Sequence, residues 1–416
     1  MKVSQRVWFR ASCAYLTLGL GSARAVAEED PGDEWRPSVA LETATLRGAR
    51  FVANLESGGE AELTLDPTLQ KSAEDAFAAH RLPLAAAAVL SIADGKVLVL
   101  AGRSQEDPSL DASTLAVQPW APAASVFKVI AAASLLQEAH VDPQTLVCYH
   151  GGVSAVLRDN LIDIPAIDNR CANLGYGIGK SQNAVIAKLA SRNLTPEQLE
   201  RTATAFGFGR ELAFDAALEA SDLDVPRDPL EFARAAAGFW HSSLSPLHGT
   251  LIAATIANHG VMPAAHIIDR AVDAHGHKLR LPKQLSRRVL DPAVAGQLGR
   301  MMQLTTSMGT AKKSFRDGKG RPYLPIEVAG KTGTLFYRGQ PGDPTLPGVV
   351  AVREGGTLGY NWFVGFAPAD RPRIAFAVLL ANAVPSHLRA HALARQLIDS
   401  YLVREGIHGT QLLARR

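Results

Sequence analysis

An α+β architecture is expected from three observations on this 416-residue chain. Strand-like segments lie near both ends: AAAAVLSIADGKVLVLAG at 85–102, then VAGKTGTLF (328–336), GYNWFVGFAP (359–368) and PRIAFAVLLAN (372–382). The first folds back on itself at Ala93-Asp94-Gly95, which makes it an antiparallel hairpin. From about 120 to 312 the pattern is mostly helical and broken by loops. A sheet must therefore be assembled from segments far apart in the chain, with a helical insertion between them.

The chain opens on what reads as an export signal. Lys2, Arg6 and Arg10 form a basic leader, residues 11–20 a short apolar segment, and Ala23-Arg24-Ala25-Val26-Ala27 two small-x-small cleavage sites ahead of Glu28-Glu29-Asp30. The apolar core is far short of the roughly 20 residues that a spanning helix needs. Residues 1–27 are thus expected to be a signal peptide cut after Ala25 or Ala27 rather than an uncleaved anchor. The protein is expected to act in the periplasm or on the outer face of the cytoplasmic membrane. Cys13 does not fit a lipid attachment site, because Arg10 stands where an apolar residue is wanted. Residues 28–61 form a short N-terminal segment, 62–405 the main domain and 406–416 a tail.

Hydrophobic content of 47% and charged content of 20% describe a globular chain with ample core. Its net charge of +3, from 43 basic and 40 acidic residues, gives no electrostatic reason to expect nucleic acid. The leader leaves Cys148 and Cys171 as the cysteines of the mature chain. Flanking a Gly/Asp/Asn-rich stretch in an exported protein, they suggest a disulfide that staples a long connection. Such a bridge contributes about 3 kcal/mol by loop entropy. A metal site using Cys148 and His150 is the rival, and its spacing fits no compact zinc pattern.

ELTLDPTLQKSAEDAFAAH (62–80) reads as a strand into a helix, with Leu69, Ala73, Ala76 and Phe77 on one stripe. WAPAASVFKVI (120–130) then carries Ser125 and Lys128 where Pro122 and an Ala-rich continuation predict that the Ser opens a helix. Positions i and i+3 share a face, so the Lys128 ammonium reaches the Ser125 hydroxyl. A hydroxyl at a helix start also sits beside free N–H groups that stabilise an oxyanion. Alone the pair is a weak signal.

Ser181-Gln182-Asn183 precedes the apolar run AVIAKLASR, where Ser and Asn also suit a helix cap. Their functional reading is a second hydroxyl for a proton relay (Ser181) and an amide for a substrate carbonyl (Asn183). Ser191-Arg192-Asn193 repeats the spacing, but Asn193 is better placed as a C-terminal cap. Lys331-Thr332-Gly333-Thr334 lies in a strand-like segment whose glycines allow close backbone approach. It is not a phosphate loop, because Pro325 stands where GxxxxGK[ST] needs Gly. The order S-x-x-K, S-x-N, K-T-G is far more specific than any member alone.

With that trio in place, residues 62–405 resemble the transpeptidase domain of penicillin-binding proteins. LTLDPTLQKSAEDAF looks like its entry segment, and FGFG with LSPLHGTLIAATIANHGVMPAAHII like its mid-domain helices. WFVGFAPADRPRIAFAVLLAN is similar to its closing strands. The resemblance implies an antiparallel sheet covered by helices, an inserted all-helical lobe, and a site in the groove between. It further implies acyl transfer on the D-Ala-D-Ala end of peptidoglycan stem peptides, with β-lactams as covalent ligands and no metal or nucleotide. Ser125 would attack with Lys128 as base, Ser181 would relay the proton, and the N–H groups of Ser125 and Thr334 would form the oxyanion hole. Lys331, Thr332 and Thr334 would hold the terminal carboxylate, with Gly333 between them. Two departures stand out: no glycosyltransferase domain or large pedestal precedes the domain, and the middle residue of the second motif is Gln182.

A β-lactamase shares the trio but needs a deacylating water, and no Glu-x-x-Leu-Asn segment follows Ser181 to drive one. A membrane-spanning antibiotic sensor is disfavoured by the leader's length. A non-catalytic binding module would be expected to lose Ser125, Lys128 or Lys331. Carboxypeptidase and transpeptidase activity are not separated by the sequence.

Overall fold

LAAAAVLS at 84–91 carries apolar residues on both faces, so a strand made from it has to be covered on both sides. The computed structural model describes residues 37–80, 82–105, 112–283, 285–338, 357–383 and 388–407, and the expected signal peptide lies outside them. Five strands form the central sheet: β1 (Leu84–Ser91), β2 (Val97–Ser104), β3 (Ala329–Arg338), β4 (Thr357–Ala367) and β5 (Ile374–Ala383). Their order is β3-β4-β5-β1-β2, and every pairing is antiparallel. The expected hairpin thus occupies one edge, and the K-T-G strand the other.

Period-2 alternation sends the two residue sets of each strand into two cores. Ala85, Ala87, Val89, Phe363, Phe376 and Val378 face one side with Leu69, Ala73 and Phe77 of α1 (Pro67–Ala79). Their neighbours Ala86, Ala88, Trp362, Val364, Ala377 and Leu379 face the other, larger core. The expected stripe on α1 holds, with Ala76 partly buried against the same core, and Gln70 is buried beside it. Its amide exchanges hydrogen bonds with both the N–H and the carbonyl of Leu100, stitching α1 to β2.

The insertion supplies α2 (Lys128–Gln137), α3 (Leu174–Gly179), α4 (Asn183–Asn193), α5 (Pro196–Phe206) and α6 (Pro229–Ala236). After it come α7 (Pro246–Ala257), α8 (Pro292–Ser307) and the closing α9 (Ala390–Arg404). Asp66, Thr195, Asp228 and Ser245 each cap a helix through the side chain, with Pro at its first position. α7 is buried on every face, as a helix apolar all round must be. None of the helices among the described residues is long and apolar enough to cross a membrane.

A second sheet was not legible in the sequence. Thr45–Arg47, Arg50–Asn54 and Glu60–Leu63 pair with one another and then with Ile268–Val272 from the middle of the chain. The boundary expected at residue 62 falls inside its third strand. Val39, Leu55, Ala61 and Leu63 belong to the same core as the helical lobe, so residues 37–61 pack as part of the main domain.

His248 of α7 is fully buried, with Nδ1 on Ser221 Oγ at 2.8 Å and Nε2 on the Phe206 carbonyl at 2.9 Å. Burial pushes its pKa from 6.5 down to about 4. The neutral imidazole therefore stabilises the fold fully above pH 6.5. That stabilisation, on the order of 3 kcal/mol, is lost as pH falls from 6.5 toward 4, where only the unfolded chain takes up the proton. His248→Gln should lower the melting temperature at pH 7.5 yet show a shallower loss between pH 6.5 and 4; equal acid slopes would contradict this.

Candidate active site

The nucleophile segment is anchored before its serine. Trp362 Nε1 donates to the Pro122 carbonyl at 2.8 Å, and the Ala123 N–H donates to the Ser242 carbonyl at 3.0 Å. Ser125 does not open an α-helix as expected. It sits in a 3₁₀ turn, Ala124–Val126, and α2 begins only at Lys128. The physical reason is local: Ala124 holds φ at +47°, and the Phe127 N–H is shared by the Ala124 and Ser125 carbonyls. The expected i, i+3 meeting survives, with Lys128 Nζ donating to Ser125 Oγ at 2.5 Å.

Lys128 also donates to the Ala237 carbonyl at 2.7 Å. The next residue, Gly238, has φ of +83°, and a Cβ there would lie 2.1 Å from the Ala124 carbonyl oxygen. Only glycine lets this loop press on the serine turn. Nothing in the sequence around 237–238 announced that role, because it depends on a contact across the fold.

Ser181 stands at the junction of α3 and α4 with φ of +55°. Its N–H bonds Ile178 and that of Gln182 bonds Gly177, so the turn is fixed by backbone. Gln182 occupies the cap position of α4 without a side-chain cap, which leaves the Ser181 hydroxyl free of that duty. Asn183 Nδ2 donates to the Val153 carbonyl at 2.9 Å and so holds the loop that forms one wall. Asn193 bonds the Leu189 carbonyl at the end of the same helix, as a C-terminal cap would.

Edge strand β3 brings the third motif beneath both serines. Lys331 Nζ donates to Ser181 Oγ at 2.8 Å and to the Thr332 carbonyl at 2.7 Å. Thr332 shares a 2.6 Å hydroxyl contact with Thr310, whose N–H donates to the Gly179 carbonyl at 3.1 Å. Thr310 thus ties the K-T-G strand to the end of α3. A Cβ on Gly333 would lie 3.0 Å from Trp362 Cβ and 3.3 Å from Val126 Cγ2, so glycine lets β3 approach the serine turn. Thr334 is exposed and accepts from Asn361 Nδ2 at 3.2 Å.

These groups line a groove of about 730 Å³, together with Val153, Glu231, Arg234, Trp240, Arg389 and His391. Lys128 and Lys331 lie under its floor with no exposed surface. Burial lowers the Lys128 pKa to about 7. Burial, and then the neighbouring Lys128, push Lys331 well below the usual lysine range. Of the lining carboxylates among the described residues only Glu231 is present, and it is bound by Arg234 at 2.6 Å and faces His241 at 3.3 Å.

The Cys148–Cys171 disulfide is formed between two directly paired residues of a small antiparallel ladder. His150 does not face a cysteine cluster but lies 2.5 Å from Asp168. Hydrogen bonds from His150 and from the Ile164 N–H hold the Asp168 carboxyl well below the usual range. Fully buried Lys188 of α4 bonds Asp168 and the Cys148 carbonyl. The staple and this buried pair fix the loop whose residues 153–156 wall the groove.

Fold and site together define a serine-type acyl-transfer architecture. The chain matches the model of the penicillin binding protein transpeptidase domain over residues 85–399 and belongs to that family. It is 26% identical over 366 residues to the peptidoglycan D,D-transpeptidase PbpA of Mycobacterium tuberculosis, spanning 80% of this chain and 69% of that one. Stage V sporulation protein D of Bacillus subtilis is 25% identical over 356 residues, spanning 79% and 50%. The D,D-transpeptidase domain of an Eggerthella lenta peptidoglycan glycosyltransferase superposes with a TM-score of 0.67 at 21% identity, covering 89% of this chain and 92% of that one. Penicillin-binding protein A of M. tuberculosis, solved as an imipenem acyl-enzyme complex, superposes with a TM-score of 0.65 at 23% identity, covering 83% and 80%.

A base buried at a pKa of about 7 has a kinetic signature. Acylation of the protein by a β-lactam should rise with unit slope on a logarithmic scale as pH approaches 7 from below, then level off as Lys128 becomes neutral. A rate still climbing toward pH 10 would assign the base an ordinary lysine pKa.

Proposed function

We propose that the protein is a D,D-transpeptidase that cross-links peptidoglycan through an acyl-enzyme on Ser125. The observation that carries this reading is the convergence of two serine–lysine pairs on one groove: Ser125 with Lys128, and Ser181 with Lys331. Serine is a weak nucleophile at its free pKa and needs an adjacent base. Neutral Lys128 takes the Ser125 proton as Oγ bonds to the penultimate D-Ala carbonyl carbon. The oxyanion is held by the N–H groups of Ser125 and Thr334, aimed where charge develops. On collapse the peptide C–N bond breaks, and the departing D-Ala amine gains a proton through Ser181, which Lys331 orients. An acceptor amine from a second stem peptide then attacks the ester, releasing Ser125 with its proton restored.

Thr332 and Thr334 would hold the terminal carboxylate and the Asn183 amide a peptide carbonyl, a reading supported by all three lining the groove. The same site serves a carboxypeptidase if water replaces the amine. A β-lactamase is disfavoured because Glu231, the carboxylate that lines the groove among the described residues, is already bound by Arg234 and faces His241. A β-lactam adduct, whose leaving group stays tethered, should therefore persist. Fluorescent penicillin should label Ser125 one-to-one for many minutes. Ser125→Ala should abolish labelling, Lys128→Ala should nearly abolish it, and Ser191→Ala should leave it unchanged. Rapid turnover without adduct would instead indicate a β-lactamase. Mass spectrometry of products from a pentapeptide donor, with and without an amine acceptor, distinguishes cross-linking from trimming.

Export completes the proposal, since the substrate lies outside the cytoplasm. The basic leader with its short apolar core and the formed Cys148–Cys171 bridge both support an oxidising, extracytoplasmic setting. The mature native chain should begin near Val26 or Glu28. Finding Met1 intact on protein isolated from its own cell envelope would contradict cleavage.

A further inference from the structure

Among the described residues, the charges around the groove leave one cation without an assignment. Arg234 is taken up by Glu231 and, through Nε, by the Val156 carbonyl at 3.0 Å. His391, with Nδ1 on Ser314 Oγ at 2.7 Å, is kept neutral because burial, and then Arg389, lower its pKa to about 4. The ammonium groups of Lys128 and Lys331 lie under the floor, each on a serine hydroxyl and a backbone carbonyl. Arg389 is different. It is exposed, it lines the groove, and it has no partner among the described residues.

Its location is fixed by a short hydrogen-bond chain. The N–H of Ala390, the next residue, donates to Asn361 Oδ1 at 2.6 Å, and Asn361 Nδ2 donates to Thr334 Oγ1 at 3.2 Å. Asn361 thereby holds the start of α9 against the exposed threonine of the K-T-G-T strand, where β3 and β4 pair Thr334 with Asn361. A guanidinium without a partner among the described residues thus shares the groove with the two hydroxyls, Thr332 and Thr334, that suit a carboxylate.

We propose that Arg389 is the cation that binds the ligand's carboxylate beside Thr332 and Thr334, and that it sets the preference for acids over their neutral esters. The assignment rests on the acyl-transfer reading above. A guanidinium stays charged at every working pH and presents a fork that matches a carboxylate. A buried ammonium already bonded to Ser181 and Thr332 offers neither property. Lys331 on this view serves the hydroxyl relay, and the substrate's charge is met by Arg389.

Benzylpenicillin and its methyl ester test the assignment, because both keep the reactive ring and only the acid carries the charge. Second-order rate constants for Ser125 acylation would be measured by quenched-flow mass spectrometry on wild type, Arg389→Gln and Arg389→Lys. Arg389→Gln should cut the acid-to-ester rate ratio by about tenfold or more, through the acid alone, and Arg389→Lys should restore part of it. An unchanged ratio in Arg389→Gln, or an equal loss for both ligands, would overturn the assignment. If wild type formed no Ser125 adduct with either ligand, the acyl-transfer reading itself would fail and Arg389 would lose its role with it. Matching melting curves would show that the variants are folded, as expected for an exposed side chain.

Discussion

Two lysines buried without a carboxylate partner among the described residues are the constraint around which this molecule is arranged. Lys128 and Lys331 have no exposed surface, and hydroxyl and carbonyl oxygens are what accept from them. A buried ammonium without a counter-charge is expensive, so burial favours the neutral amine. That is the state in which a lysine can take a proton. Each oxygen that surrounds them comes from a different part of the chain: the 3₁₀ turn at Ser125, the loop at Ala237, the α3–α4 junction and the edge strand. The five-stranded sheet and its two cores supply the rigidity that holds these pieces together.

The cost of that arrangement is visible in the backbone. Among the described residues, five that are not glycine have positive φ: Ala124, His140, Ser181, Trp240 and His259. Ala124, Ser181 and Trp240 lie at the groove or next to its serine, where local strain of about 1–3 kcal/mol each is held by surrounding structure. Gly238 and Gly333 perform the complementary task by allowing close approach. The site is thus preorganised from both directions: strained turns present the hydroxyls, and glycines let their supports come near.

Much of this was legible in the sequence because it is local or periodic. The strands β1, β4 and β5 are written as apolar runs, and the Ser125–Lys128 meeting in helical spacing. The K-T-G strand was readable from flanking glycines, and the disulfide from an isolated cysteine pair behind an expected export signal. What was not legible depends on contacts between distant segments. Residues 28–61 read only as a short segment ahead of the main domain, because the strand that completes their sheet, Ile268–Val272, lies in the middle of the chain. Ser125 was expected to open a helix, and the 3₁₀ turn found instead follows from the positive φ of Ala124, which no residue pattern signals. Ala237, Thr310, Asn361 and Arg389 carry no motif at all; each acquires its place only once β3, β4 and α9 come together.

Whether burial without a counter-ion keeps the lysine beside Ser125 available as a base can be measured without any substrate. Protein labelled with ¹⁵N at lysine Nζ, its two buried resonances assigned with Lys128→Met and Lys331→Met, would be titrated by NMR. Lys128 should change protonation state near pH 7, with Lys331 well below the ordinary lysine value. Both groups titrating at the ordinary 10.5 would contradict the account.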